Sequence, residues 1–184
     1  MRVLGIVGSL RPGSHNRKLL LAASELFPPD LEFEIWDGLK AVPPYDEDDD
    51  VEPAPAAVAQ LRAAIAGADA ILFATPEYNS SIPGQLKTAV DWASRPIATA
   101  ALRNKPVAVI GASTGMFGAV WAQAELRKVL ARAGARVLEG ELPVPLAASQ
   151  FDEEGRLSDE ELRARLAEVA ERLVAETAAL SVAA

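Results

Sequence analysis

Short apolar runs that alternate with amphipathic stretches of helical length limit what this chain can fold into. The runs are Val3 to Val7, Phe33 to Trp36, Ala70 to Ala74, Val107 to Ala112 and Arg136 to Leu138. Helical patterns cover Asn16 to Leu26, Ala56 to Ala66, Pro83 to Ala93 and Ala119 to Ala133, and a fifth begins near Ser158. Regular alternation of this kind implies an α/β domain with a parallel, doubly wound five-stranded sheet and helices on both faces. The uninterrupted runs Ile71-Leu72-Phe73 and Val107-Ala108-Val109-Ile110 suit strands buried on both sides. Phe33 and Ile35 alternate with Glu32 and Glu34, as suits a strand nearer an edge. Ser81 followed by Pro83 marks a helix start, Gly134 a helix end, and Ser158 with Glu161 a capping box for the last helix. In that helix Leu162, Leu166, Val169 and Leu173 form one apolar face to pack on the sheet.

Charge and composition narrow the function classes. The 184 residues are read as one domain, 1–184, with 18 Lys and Arg against 26 Asp and Glu and a net charge of −8. A phosphate backbone or an anionic membrane surface is a poor partner for such a chain, so neither nucleic acid nor membrane binding is expected. With no cysteine, disulfides, thiolate nucleophiles and cysteine metal sites are excluded. The first apolar stretch is too short for a signal segment, and no uncharged run approaches a membrane span. The expected location is the cytoplasm.

Three segments at the carboxyl ends of strands carry chemistry. Gly8-Ser9-Leu10-Arg11-Pro12-Gly13-Ser14-His15-Asn16 joins the first strand to the first helix. Small hydroxyl residues, one guanidinium and a helix N-terminus make it a phosphate-binding candidate. Taken alone, it fits an ordinary turn with Ser14 as N-cap equally well. Pro76-Glu77-Tyr78-Asn79-Ser80-Ser81 follows the third strand and Ser113-Thr114-Gly115-Met116-Phe117-Gly118 the fourth. In a flavodoxin-like sheet of order 2-1-3-4-5, these three strands are neighbours and their loops line one cleft. The first loop would grip a phosphate, and the other two would frame a planar ring.

These residues resemble the NAD(P)H-dependent FMN reductase family, which includes quinone, chromate and azo-dye reductases of bacteria. The similarity rests on Gly8, Ser9, Arg11, Ser14, Asn16 and Leu19, then on Pro76-Glu77-Tyr78-Asn79 with Ser81, Pro83, Leu86, Lys87, Asp91 and Trp92. Ser113, Gly115, Gly118, Gln123 and Leu126 continue it, while Ala119 stands where relatives often carry a second glycine. The resemblance implies that Ser9, Arg11, Ser14 and Asn16 hold the FMN phosphate, with His15 beside them. It also implies that Pro76, Glu77, Tyr78 and Asn79 border the isoalloxazine, with Tyr78 shaping its open face, and that Ser113, Thr114 and Gly115 approach the ring and ribityl chain. NADPH or NADH would be co-substrate, a small molecule the electron acceptor, and the assembly a homodimer or homotetramer. No side chain need act as catalyst, because the chemistry lies on the flavin. The alternative within the same fold is a flavodoxin-type electron carrier serving a protein partner.

Other signals weigh less. Gly111-Ala112-Ser113-Thr114-Gly115 spells G-x-S-x-G, but the sole histidine, His15, lies upstream of the serine, so a hydrolase triad cannot be completed in its usual order. Asp46 to Asp50 alternates like a calcium loop but has Val51 where the turn glycine belongs, which favours a solvated acidic loop. A receiver domain needs acids after the first strand, where Gly8-Ser9 stands. His15 on its own suits a solvated loop side chain, Trp92 and Trp121 suit core or subunit-contact positions, and Lys87 with Asp91 a surface pair. No metal site is expected.

Overall fold

The computed structural model describes residues 1–183. Strands β1 (Arg2–Val7), β2 (Glu32–Trp36), β3 (Ala70–Thr75), β4 (Pro106–Ala112) and β5 (Arg136–Val137) form a parallel sheet in the order β2-β1-β3-β4-β5. Helices α1 (His15–Ser24), α2 (Ala56–Ala66), α3 (Gly84–Ala93), α4 (Val120–Arg132) and α5 (Glu160–Ala183) make the connections and cover both faces. The expected flavodoxin-like architecture is present.

Side chains alternate across each strand, so one sheet serves two cores. Leu4, Ile6, Ile71, Phe73, Val107 and Val109 meet α2, α3 and α4 through Leu61, Ile65, Leu86, Trp92, Leu126 and Leu130. Val3, Ala70, Leu72, Ala74, Ala108, Ile110 and Ala112 meet α1 and α5 through Leu19, Leu20, Leu166 and Leu173. The second face is built largely of small residues, which lets α1 and α5 lie close to the backbone. Gly5 belongs to the same economy of space, since a Cβ there would lie 2.8 Å from the Phe33 ring. Trp92 is fully buried, its indole N–H donates to the Pro43 carbonyl at 3.0 Å, and Tyr45 meets it edge-on at 4.9 Å.

Several boundaries differ from the sequence expectations for local reasons. The last lane of the sheet is broken. The run expected over Arg136 to Leu138 is a strand only at Arg136–Val137, and a second two-residue strand, β6 (Pro143–Val144), pairs with the far end of β4. Gly140, at φ +104°, turns the intervening chain out of the sheet, and Arg127 holds it there through Glu141 and Glu139. Helix α1 stops at Ser24, short of Leu26, ahead of Pro28 and Pro29. Helix α3 begins at Gly84 with Pro83 at its cap position. Helix α4 begins after Ala119, whose φ of 62° is left-handed, while its far end is the expected one, with Gly134 at φ +94° and the Ala135 N–H donating to the Leu130 carbonyl at 3.1 Å.

The capping box expected from Ser158 and Glu161 is not formed. Helix α5 starts at Glu160, and Asp159 supplies the cap by accepting from the Leu162 N–H at 3.0 Å. The expected apolar face is present, with Leu162, Leu166 and Leu173 buried and Val169 packed at the rim. Among the described residues no helix is long and apolar enough to cross a membrane. Asp159→Ala is expected to cost about 1 kcal/mol of stability through loss of the cap, and Ser158→Ala no more than about 0.5 kcal/mol, both read from urea denaturation midpoints.

Candidate functional site

The loop after β1 is set by three local devices. The Gly8 N–H continues the ladder to the Ala74 carbonyl at 2.8 Å. A Cβ on Gly8 would lie 2.8 Å from Leu86 and 3.2 Å from Pro76, so glycine lets the loops after β1 and β3 touch. Ser14, buried, is the N-cap of α1, its hydroxyl accepting from the Asn16 N–H at 3.2 Å. Ser9 Oγ accepts from the Arg11 N–H at 3.4 Å.

Asn16 is 2% exposed, and its carboxamide makes two bonds of 2.9 Å to Ala112, donating to the carbonyl and accepting from the N–H. This side chain staples the start of α1 to the end of β4. It therefore enters the site as a positioning group for the loops after β1 and β4.

His15 is not the solvated loop side chain that its sequence position suggests. It is half-buried, lies nearly parallel to Phe151 at 6.2 Å, and its Nδ1 has no partner among the described residues. Burial lowers its pKa below the ordinary 6.5, and the positive charges of Lys18 and Arg11 push it the same way.

In the loop after β3, Tyr78 and Ser81 exchange backbone bonds of 3.0 and 3.1 Å across Asn79 and Ser80. Both central residues are left-handed, at φ 52° and 59°, which makes this a tight hairpin turn of the mirror-image type. Tyr78 stands at its mouth, 51% exposed. Glu77 does not reach into open space. Its Oε2 accepts from the Trp121 and Ala122 N–H groups at 3.0 and 3.1 Å and caps α4 from outside. Left-handed Ala119 has no side-chain oxygen to perform this task. Ser81 donates to Glu125 at 2.6 Å, a second tie between this loop and α4, and is no cap for α3.

The loop after β4 leans on the segment that carries β6. Ser113 N–H donates to Val144 at 3.1 Å, Ala147 N–H to Ser113 at 3.0 Å and Leu146 N–H to Gly115 at 3.0 Å. Gly118, at φ +57°, has no room for a Cβ, which would sit 2.6 Å from the Val144 nitrogen. Fully buried Gln123 donates to the Gly118 carbonyl at 3.1 Å and accepts from the Leu142 N–H at 3.0 Å. Thr114, Gly115, Met116 and Phe117 are left exposed. Ser113 Oγ accepts from the Gly115 N–H at 3.1 Å and makes no hydrogen bond with His15 among the described residues.

The three loops therefore stand together at the carboxyl ends of adjacent strands β1, β3 and β4. Pro76 and Asn79 lie with Glu77 and Tyr78, and Thr114 with Ser113 and Gly115, each set on its own loop. Sequence reasoning missed the helix cap made by Glu77, the Asn16 staple and the exposed pair Phe117 and Trp121, whose rings lie 4.8 Å apart beside the cleft. The acidic loop does not gather a metal site. Asp50 pairs with Arg62 at 2.8 Å, and no metal-holding cluster occurs among the described residues.

The donor set fits a flavin phosphate. Among the described residues the N–H groups of Ser9, Leu10, Gly13 and His15 have no protein partner, and Arg11 has no carboxylate partner. These donors surround the start of α1, where the helix dipole favours an anion.

The chain is similar to known flavin and quinone reductases. The family model for NADPH-dependent FMN reductase matches residues 1–149. An NAD(P)H-dependent FMN reductase of Pseudomonas aeruginosa is 44% identical over 164 residues, covering 89% of this chain and 88% of that protein. A quinone reductase of Pseudomonas putida is 41% identical over 155 residues, covering 84% and 83%. The solved structure of the flavoenzyme NAD(P)H:(acceptor) oxidoreductase from Paracoccus denitrificans superposes with a TM-score of 0.84 at 35% identity, with 96% of each chain covered.

Two measurements test this geometry. Glu77→Ala should destabilise the fold by about 0.5–2 kcal/mol, the range for losing a helix cap, in thermal or urea denaturation. The sole histidine should titrate below 6.5 in NMR spectra of the ligand-free protein, and inorganic phosphate should raise that midpoint by neutralising the local positive field. The unfolded chain binds the proton more readily, so stability holds above about pH 6.5 and declines as pH falls through the lowered His15 pKa.

Proposed function

Because the chain belongs to the NADPH-dependent FMN reductase family, we propose an FMN-dependent oxidoreductase that takes hydride from NADPH or NADH and reduces small acceptors. Quinones are the first acceptor class to test, given the quinone reductases among its relatives, followed by free flavin, chromate and azo compounds. The observation that carries this function is the donor-rich loop at the start of α1, pinned beside the loops after β3 and β4 by Asn16 and Gly8.

FMN, when bound, would supply the redox chemistry between nicotinamide and acceptor. The protein's part is to bind, orient and leave one face open. Ser9, Arg11 and Ser14, with the N–H groups of Ser9, Leu10, Gly13 and His15, would hold the phosphate, and Asn16 would keep that loop in register with β4. Pro76 to Asn79 would border the ring on one side, fixed by the Glu77 cap. Ser113, Thr114 and Gly115 would border it on the other. Tyr78, half-exposed at the hairpin, would shape the open face. No side chain is asked to move a proton.

We further infer that residues 1–184 act as one FMN-binding domain in the cytoplasm and assemble as a homodimer or homotetramer. Support for assembly comes from Met116, Phe117 and Trp121, which are 78%, 60% and 46% exposed beside the cleft. Light scattering on the FMN-loaded protein should return two or four times the chain mass.

The functional test is the visible flavin spectrum of the FMN-loaded protein under anaerobic conditions. NADPH or NADH should bleach it without any partner protein, whereas a flavodoxin-type carrier would stay oxidised. Arg11→Ala should weaken FMN binding by about 1.5–3 kcal/mol, the range for a hydrogen bond to a charged group, and unchanged affinity would remove Arg11 from the phosphate site.

A further inference from the structure

A second cavity, of about 420 Å³, opens on the β2 side of the phosphate loop. One wall is the segment Ser9 to Pro12, and the other is the turn that follows β2. That turn is folded tightly over an indole, since a Cβ on Gly38 would lie 2.4 Å from Trp36. The charged lining is Arg11, Arg17, Lys40 and a single acid, Asp37. Arg17 grips both carboxylate oxygens of Asp37, one through Nη1 and the other through Nη2 at 3.2 Å. Arg11 and Lys40 have no carboxylate partner among the described residues. In a chain of net charge −8, this cavity is therefore locally positive.

The position gives this charge a meaning. In doubly wound sheets of the other common strand order, which hold dinucleotides, an acid beyond the phosphate loop receives the ribose hydroxyls of NADH and an arginine nearby accommodates a 2′-phosphate; Asp37 stands just after β2, on the same side of the phosphate loop. A free Asp37 would repel a 2′-phosphate. Arg17 cancels that repulsion, Lys40 adds a point charge, and Trp36 with Leu10 supplies apolar surface of the kind an adenosine packs against.

We propose that the cavity between the loops after β1 and β2 receives the 2′-phosphorylated adenosine of NADPH, with Lys40 and the Arg17–Asp37 pair setting preference for NADPH over NADH. This rests on the reductase function above and names the subsite through which its co-substrate is chosen. The nicotinamide half would reach the flavin past the shared phosphate loop.

The test uses the FMN-loaded protein and two probes, adenosine 2′,5′-bisphosphate and adenosine 5′-monophosphate, titrated calorimetrically. The bisphosphate should bind roughly tenfold tighter or better, as one charge-assisted contact provides. Lys40→Glu should abolish that preference while flavin fluorescence shows FMN affinity unchanged. Arg17→Gln, which frees Asp37, should narrow it. Equal affinity for the two probes, or a preference untouched by Lys40→Glu, would overturn the proposal and leave the reductase function standing. Bisphosphate binding seen only without FMN and displaced by it would also overturn it, because the cavity would then be the flavin phosphate's own. A protein that takes up no FMN would defeat the reductase function and this subsite together.

Discussion

Asn16 and Ala112 lie 96 residues apart in sequence, and the pair of hydrogen bonds between them sets the geometry of the cleft. The carboxamide presents one donor and one acceptor in the spacing of a strand, so it extends the pairing of β4 with a side chain from α1. Both Ala112 groups are buried, and leaving either unpaired costs about 1–3 kcal/mol. The cost fixes more than stability. It holds the first turn of α1, with its N–H groups, beside the loop after β4, so the anion-binding end of the helix cannot drift from the rest of the cleft. The small residues on the α1 face of the sheet, Ala74, Ala108 and Ala112 among them, make the approach close enough for a side chain as short as asparagine.

The loop after β3 is held by a different force. Helix α4 opens on a left-handed alanine and has no cap of its own, so its first N–H groups need an acceptor from elsewhere. Glu77 provides it, and its negative charge also faces the positive end of the helix. Ser81 adds a bond to Glu125 one turn further along α4. A hairpin with two left-handed non-glycine residues at its tip is strained by itself, and fastening at both ends holds it in that shape. Tyr78 is consequently presented by a rigid turn.

Fold class and strand order were legible because burial on one or two faces writes itself into short sequence windows. Val107 to Ile110 suited a strand buried on both sides, and Phe33 to Trp36 one nearer an edge. The Ser14 cap was legible for the same reason, since it acts two residues along. What stayed hidden depends on partners distant in sequence. Asn16 read as one of the phosphate-holding residues because Ala112, the partner its carboxamide bonds, offers only backbone. Glu77 read as a member of a ring-facing motif because nothing in its neighbourhood declares that α4, 44 residues on, lacks a cap. Asp159 prevailed over Ser158 through a one-residue difference in where α5 starts, and β6 is too short to leave a pattern. His15 was misjudged because Phe151, the ring it lies against, comes from the far end of the chain.

The polar groups of this cleft are largely committed to holding it together. Asn16, Gln123 and Glu77 all carry functional-looking side chains, and each is occupied by backbone groups of another element. An enzyme that used Glu77 as its general base could not tolerate such an arrangement, because the base must exchange a proton with substrate during the reaction. An enzyme whose chemistry resides on a bound flavin can, because its protein need only supply a rigid frame, an anion site and one accessible face. The same logic accounts for an acidic chain that binds anions. Uncommitted N–H groups, a helix end and the single guanidinium of Arg11 concentrate positive potential within one loop, the place proposed for the phosphate. The net charge of −8 resides on a surface that water and salt screen.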